Sequence, residues 1–403
     1  MDTPFIRRVT LRNYKSIAAC QLDLHPLMFL VGPNGSGKSN LLDALAFVAD
    51  GLRNSLDHAL RSRGSIQEVR RRSGGHPNHF SIRLDFTLPD GRDGHYSFRI
   101  GAKKPNGFEV QSEECKLFPS EAVGHEHAFR VDAGKVVHSS VTTPPASLPD
   151  RLHLVAFSGL AEFRPVFDAL SRMEVYNLNP QQIQSLQKPD TGDILRIDGG
   201  NAASVLQQMP RAIRDEISAS LGEIVSGIES VEPKALGSME TMEFRQRVLG
   251  QQSSWRFPAA SMSDGTLRAL GILLAVFQVL GDEGIAPPLI GIEEPEAALH
   301  PAAAGKLLAA LMKGSRQRQI LVTSHSPDLL DNEDIPSESL LSVDIVDGKS
   351  IIGPIDDASR SALKDRLFTP GELLRANQLA PDPSTLSDVR DERQLKIFEL
   401  NGN

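Results

Sequence analysis

Cysteine is almost missing from this sequence: Cys20 and Cys115 are the only two in 403 residues. So few thiols, so far apart, make no disulfide framework, and a reducing compartment with two ordinary buried thiols is expected. Long apolar runs are lacking too. The best, Ala269 to Leu280, is bordered by Arg268 and interrupted by Gln278, short of the roughly 18 residues a membrane-spanning helix needs. No membrane partner is therefore expected. The start, Met1-Asp2-Thr3-Pro4, has neither the basic nor the apolar part of a secretion signal, which points to a cytoplasmic protein. Sustained heptads are absent between residues 40 and 260, and Pro180, Pro189, Pro210 and Pro233 would break a long helix, so a long coiled-coil arm is excluded. Positive charge is in deficit: 43 Lys and Arg against 51 Asp and Glu give a net charge of −8. The surface as a whole is thus no polyanion-binding face. One basic cluster remains, Arg61, Arg63, Arg70, Arg71 and Arg72, ending at Gly74-Gly75. It reads either as a solvated helix face balanced by Asp57 and Glu68 or as a DNA contact.

What the chain does contain is Gly32-Pro33-Asn34-Gly35-Ser36-Gly37-Lys38-Ser39, the pattern G-x-x-x-x-G-K-[ST]. Leu27 to Val31 before it reads as a short buried strand, and Leu41, Leu42, Leu45 and Val48 after it recur at helical spacing. Strand, glycine turn and helix in that order let backbone N–H groups meet a triphosphate, and only glycine lets the chain wrap so closely. Lys38 would reach the outer phosphates and Ser39 would ligate Mg²⁺.

Ile6 to Leu11 and Ala18 to Leu24 read as strands around a polar break, Arg12-Asn13-Tyr14-Lys15-Ser16. Residues 41–62 are expected as one long helix. Period-two alternation from Phe80 to Phe118, with turns at Pro89-Asp90-Gly91 and Pro105-Asn106-Gly107, predicts antiparallel hairpins. Residues 120–150 are rich in Ser, Pro, Gly and His and are expected as a loop, with His125, His127 and His138 as solvated loop residues. Leu152 to Phe157 and Glu174 to Leu178 are expected as strands flanking a helix, Leu160 to Ser171. Helices are expected through Pro180 to Val231, among them Ala202 to Met209 and Arg211 to Gly227.

Strand-like alternation over residues 241–257 leads to the polar turn Ser261-Met262-Ser263-Asp264-Gly265-Thr266 and an apolar helix, Leu267 to Leu280. Ser263 near that helix start is another anion-ready end. An apolar strand from Pro288 runs into Glu293-Glu294-Pro295-Glu296, followed by helix Pro301 to Met312, strand Gln319 to Thr323, and Ser324-His325-Ser326-Pro327. Acids and a histidine at strand C-termini of an open α/β sheet stand where ligands bind. The tail offers a hairpin across Val346-Asp347-Gly348-Lys349, a helix Ser359 to Leu367, and no chemistry that the sequence names.

In this order the pieces resemble the ABC-type ATPases, and among them the RecF/SMC/OLD-like branch. Gly32 to Asn40 has the form of that branch's Walker A, and Asn13-Tyr14-Lys15-Ser16 looks like its N-terminal element near the base. Met262 to Thr266 stands in the place of the signature, Ile290 to Glu294 is similar to Walker B, Pro295 to Pro301 to the D-loop, and His325 to the switch histidine. The sequence departs from the pattern at Glu293, where an aspartate is usual, and at Asp264 and Thr266 of the signature. The family's glutamine has no assigned place; Gln67, Gln111 and Gln181 are candidates.

The resemblance implies an α/β fold: an ABC-ATPase head with a mixed sheet, a flanking antiparallel β subdomain and a helical insert. Boundaries are expected at 1–120 (phosphate loop and hairpins), 121–255 (partly helical insert or lid), 256–335 (signature, Walker B and switch histidine) and 336–403 (tail). It further implies ATP and Mg²⁺ as ligands, with Asn34, Gly35, Ser36, Gly37, Lys38, Ser39 and Asn40 of one subunit meeting Ser263, Asp264 and Gly265 of another. Ser39 and Glu293 would hold the metal; Glu294 would polarise the attacking water and His325 would contact the γ-phosphate. Expected partners are a second copy or a higher even oligomer, a separate nuclease or effector protein, and DNA, in repair or anti-phage defence. The residues after His325 are too few for the Toprim nuclease of OLD proteins. An ATP-binding scaffold without turnover is the alternative; a transporter's nucleotide-binding subunit fits less well, because its signature follows the phosphate loop by about half the spacing seen here.

Overall fold

The computed structural model describes residues 4–72, 77–103, 107–119, 124–248, 250–279, 286–385 and 396–399. Gly74-Gly75, the Pro105-Asn106 corner and Leu280 lie outside them. The strands, in chain order, are β1 (Ile6–Tyr14), β2 (Ile17–Asp23), β3 (Leu27–Val31), β4 (His79–Thr87), β5 (Asp93–Lys103), β6 (Gly107–Leu117), β7 (His127–Asp132) and β8 (Lys135–Ser139). They continue as β9 (Glu174–Tyr176), β10 (Ile228–Leu236), β11 (Met239–Gln246), β12 (Trp255–Pro258), β13 (Leu289–Glu293), β14 (Gln319–Ser324), β15 (Leu340–Val346) and β16 (Lys349–Pro354).

The chain divides into two compact units. The first comprises Met1–Met173, Ser337–Ser361 and Leu379–Asn403, the second Glu174–Pro336 and Ala362–Gln378. In the first, strands run in the order β8-β7-β6-β5-β4-β1-β2-β16-β15-β3. The β4 to β8 side is antiparallel throughout, while β16 joins β2 and β15 joins β3 in parallel. Alternation sends Val9, Leu11, Ile82, Leu84, Tyr96 and Phe98 to one face, all buried. Helix Lys38–Arg53 covers that face, its Phe47 ring 5.4 Å from Phe80 and 6.2 Å from Phe98 and Tyr14. Aromatic edges of this kind add to the burial term.

The second unit contains a parallel sheet, β14-β13-β9, and a separate antiparallel one, β10-β11-β12. Helix Asp264–Phe277 is apolar nearly all round and buried accordingly. Its last carbonyls, Ala275 and Gln278, accept from the buried Arg318 guanidinium, which supplies the positive charge a helix C-terminus favours. Among the described residues no helix is long and apolar enough to cross a membrane.

Several local expectations are corrected. The helix expected over 41–62 ends at Arg53, and Ser55 starts a new one, Leu56–Arg61, its hydroxyl accepting from the His58 amide at 3.0 Å. A side-chain cap there competes with continuation. The loop expected over 120–150 contains the hairpin β7–β8, turned by Ala133 and Gly134 at φ 47° and 74°. That is the mirror-image turn whose twist suits a hairpin; with His-Ala-Phe-Arg-Val-Asp its only alternation, composition masked it. Helix Arg164–Ser171 begins later than Leu160, with Pro165 in its first turn. The run Pro180 to Val231 gives three helices, Pro180–Gln184, Ala202–Gln208 and Arg211–Ile224, before strand β10 starts at Ile228. In the tail, the helix spans Asp357–Lys364.

Leu152 to Phe157, expected as a strand, is a helical turn over Leu154–Phe157. A long-range group decides this: the buried Glu113 carboxylate of β6 accepts from the amides of His153 and Leu154, the latter at 2.8 Å, and from Tyr96 Oη at 2.9 Å. Burial raises Glu113 from its ordinary 4.5 to about 7. Between those values the unfolded chain has released a proton that the folded chain keeps, so this group makes stability fall as pH rises through that window and leaves it level above. Replacing it by glutamine removes the slope. The stability of Glu113→Gln relative to wild type, read by urea unfolding at acid and neutral pH, should rise with pH by roughly 3 kcal/mol; an unchanged difference would show that the carboxyl titrates normally.

Candidate functional site

The first unit builds a glycine turn between β3 and helix Lys38–Arg53. Gly32, Gly35 and Gly37 have φ of 154°, 78° and 100°. Two of them are also crowded: a Cβ on Gly32 would lie 2.0 Å from the Val343 carbonyl oxygen, and one on Gly37 2.1 Å from Ser350 Oγ. No side chain caps the helix start, and no acid lies in its first turn, so its amides are directed at the turn with their partial positive charge uncompensated. Lys38 folds over the turn, its Nζ donating to the carbonyls of Gly32 and Pro33 at 2.8 and 2.9 Å. Asn34, Gly35 and Ser39 are exposed; Ser36 is buried, and its hydroxyl has no hydrogen-bond partner among the described residues.

A chain of hydroxyls ties the turn to the N-terminal element. Asn40 Nδ2 donates to Ser16 Oγ at 2.6 Å, Ser16 and Ser350 are 2.6 Å apart, and Ser350 Oγ donates to the Ser36 carbonyl at 2.5 Å. Each hydroxyl has one proton, so the direction is fixed from Asn40 through Ser16 and Ser350 to Ser36. Ser350 lies in β16, in the tail that the sequence left without chemistry; nothing short of the fold identifies it.

Behind the turn, Asp43 collects Tyr14 Oη at 2.7 Å, Lys15 Nζ at 2.6 Å and Arg63 Nε at 2.7 Å. Burial alone would raise this carboxyl; Arg63 and Lys15 outweigh it and hold it below the usual range. Burial and Asp43 together push the Tyr14 phenol well up. The arginine cluster thus divides. Arg63 is interior, bound to Asp43 and Asp50 and over the Phe47 ring, whereas Arg61 and Arg72 pair with Asp57 and Glu68, each four residues earlier in the chain. Arg70 donates to Gln67, which occupies one candidate glutamine; Gln111 sits against Gly101 in the antiparallel sheet, and the Gln181 backbone N–H donates to the Asn179 side-chain oxygen.

The second unit brings the other predicted residues together. Ser263 caps helix Asp264–Phe277, accepting from the Thr266 amide at 3.2 Å, with Asp264 in the first turn. Gly265 packs so closely that a Cβ would meet the Ala298 carbonyl at 2.4 Å. Ser263, Gly265, Ala298 and His300 line a cavity of about 490 Å³ with Glu223 and Ser226. At the C-terminal ends of the paired strands β13 and β14 stand Glu293, Glu294 and His325. Glu294 has φ 43°, and its amide donates to the Thr323 carbonyl at 3.0 Å. His325 Nδ1 is 3.3 Å from Glu294 Oε1, and both side chains are 42% exposed. Glu296 accepts from Ser324 Oγ at 2.7 Å and from the His325 amide at 3.3 Å, which fixes the backbone carrying the histidine.

Arg268 was visible in the sequence only as the charge bordering an apolar helix. Its guanidinium donates to the carbonyls of Glu293, Glu294 and Leu178 at 3.0, 3.1 and 2.8 Å. It thereby clamps the left-handed backbone at Glu294 to the helix that Ser263 starts. Burial lowers its pKa while Glu296, Glu294 and Glu293 oppose that.

A protein-family profile described as "AAA domain, putative AbiEii toxin, Type IV TA system" matches residues 27–123 and 212–331, more than half of the chain. Over 47 residues the chain is 47% identical to the DNA replication and repair protein RecF of Colwellia psychrerythraea, a segment covering 11% of this chain and 12% of that protein. Among solved structures, an SMC head bound to the C-terminal winged-helix domain of ScpA is similar at TM-score 0.55 and 15% identity, covering 87% of this chain and 97% of that one. A Pyrococcus furiosus SMC head with an extended coiled coil, bound to the C-terminal domain of ScpA, is similar at TM-score 0.57 and 11% identity, covering 90% and 99%. At these identities the likeness is one of fold.

Two substitutions test the local geometry. Gly37→Ala should lower stability by about 1–3 kcal/mol through strain and the clash with Ser350. Arg268→Met should lower it by about 1–3 kcal/mol, because three part-buried carbonyls lose a charged donor. Both are read by urea unfolding, and a neutral result for either removes the corresponding constraint.

Proposed function

We propose that this chain, which belongs to the family described as AAA domain, putative AbiEii toxin, Type IV TA system, and is an ABC-type ATPase of the RecF/SMC branch, is an ATP-hydrolysing switch that closes as a dimer around ATP. The observation that carries this reading is the pairing of Glu294 with His325 at the ends of adjacent parallel strands, on a backbone clamped to the Ser263 helix. A structural ion pair would not need a carboxylate in a left-handed, exposed position.

The phosphate chain of ATP would lie on the Asn34 to Asn40 turn, received by helix amides and by Lys38 leaving its carbonyl partners for the outer phosphates. The Ser36 hydroxyl, without a hydrogen-bond partner among the described residues, and the acid-free helix start fit an anion. The Ser39 hydroxyl and Glu293 carboxylate are hard oxygen donors of the kind Mg²⁺ takes, and the ion would supply charge neutralisation at the phosphates. Ser263, Asp264 and Gly265 of a second copy would present their helix N-terminus to the γ-phosphate. Glu294 would accept a proton from the attacking water, and His325 would orient the Glu294 carboxylate and contact the γ-phosphate.

Closure would be transmitted to DNA or to a separate effector, such as a nuclease, in repair or in anti-phage defence, within the cytoplasm. Support for these finer points is the toxin named in the family description, the repair protein named for the RecF segment, and the ScpA domains bound to the similar SMC heads.

Lys38→Ala should weaken ATP binding at least 100-fold in equilibrium dialysis; unchanged affinity would remove the phosphate-loop assignment. Glu294→Gln should bind ATP normally, hydrolyse it at least 100-fold more slowly, and accumulate as a dimer in light scattering with Mg-ATP. Wild-type turnover no faster than the uncatalysed reaction would instead leave an ATP-binding scaffold, and equal turnover above that level in both proteins would remove Glu294 from the reaction.

A further inference from the structure

The sheet β1–β7 has a second face, opposite the helix. In-register pairing places Thr10, Arg83, Ser97, Glu114 and Arg130 in one row across five strands and Arg12, Ser81, Arg99, Ser112 and Asp132 in the next. Such a polar face of an antiparallel sheet ordinarily meets water. Here Ser81, His95, Ser97 and Glu114 are all 0% exposed. Residues 396–399 lie over them.

The fit is specific to side-chain type. Ile397 is buried, and the Phe398 ring lies between two guanidiniums, 5.4 Å from Arg99 and 5.2 Å from Arg130. Glu399 Oε1 accepts from Arg83 Nη2 at 2.7 Å, and its Oε2 is 3.8 Å from His95 Nδ1. Two main-chain bonds fix the register: Arg83 Nη1 donates to the Ile397 carbonyl at 3.3 Å, and the Glu399 amide donates to Glu114 Oε1 at 2.8 Å. Asp85, Asp132 and Glu114 hold Arg83 and Arg130 in place from the sheet itself. The result is an apolar slot, a double cation–π slot and a carboxylate clamp in succession, the arrangement of a peptide-binding site.

We propose that this face is a recognition groove for a short apolar–aromatic–acidic peptide, filled in cis by the chain's own Ile397-Phe398-Glu399 and opened to a partner segment of the same chemistry when that tail leaves. The proposal stands apart from the nucleotide reading, since none of its residues touches the glycine turn. Residue order holds no hint of it, because the groups that meet the tail are spread over four strands, β4 to β7.

The test uses full-length protein and a fluorescent peptide with the sequence of residues 396–403. Full-length Phe398→Ala/Glu399→Ala should bind it saturably, at least tenfold more tightly than wild type, and the further substitutions Arg83→Gln and Arg130→Gln should abolish binding. No binding to the double variant, or equal binding to wild type, overturns the groove. Hydrogen exchange of the wild type decides the matter without any variant. The Glu399 amide should exchange at least tenfold faster than the β5–β6 ladder around Tyr96, and exchange of both in a single cooperative event would make the tail an integral part of the sheet instead of a ligand.

Discussion

Crowding at the glycine turn is the constraint on which the first unit is built. Gly32 lies against the main chain of β15 and Gly37 against Ser350 of β16, so the turn takes its shape from a hairpin some 300 residues later in the chain. This explains the strand order. β16 and β15 stand between β2 and β3, and the hydroxyl chain from Asn40 to the Ser36 carbonyl crosses that junction. A side chain at either glycine would have to displace a backbone carbonyl or a buried hydroxyl, neither of which can retreat in a packed sheet.

The second unit concentrates strain where chemistry is proposed. Glu294 and Ala298 both lie at positive φ, each costing about 1–3 kcal/mol unless the surroundings impose it. Arg268 and Thr323 impose it at Glu294. Because Arg268 belongs to the helix that Ser263 starts, any shift of that helix moves the carbonyls of Glu293 and Glu294 with it. A ligand contact of the proposed kind at the helix start would then be joined to the acid at the strand end through one guanidinium.

The two faces of the antiparallel sheet divide the labour. One face buries Phe80, Phe98 and their neighbours against helix Lys38–Arg53 and so holds the turn in place. The other carries arginines and acids that pair with each other and with the tail. Period-two alternation makes both faces from the same strands. The polar face could therefore acquire a binding role without disturbing the core.

The placement of the motifs on strand, turn and helix was legible in the residue order alone. The strand, glycine turn and helix around Lys38, the Ser263 cap, and the acids and histidine after β13 and β14 depend on local spacing, which secondary structure preserves. What local spacing could not convey is which distant group completes a site. Glu113 turns Leu154–Phe157 into a helix, Ser350 completes the turn, Arg268 clamps Glu294, and residues 396–399 cover the outer face. Each depends on a side chain brought from elsewhere by strand order, and burial then makes that contact decisive, because an unpaired polar group in the interior costs far more than one in water. The sequence alone determined the elements that local spacing governs; the tertiary structure decided the partners and, at Leu154–Phe157, the element itself.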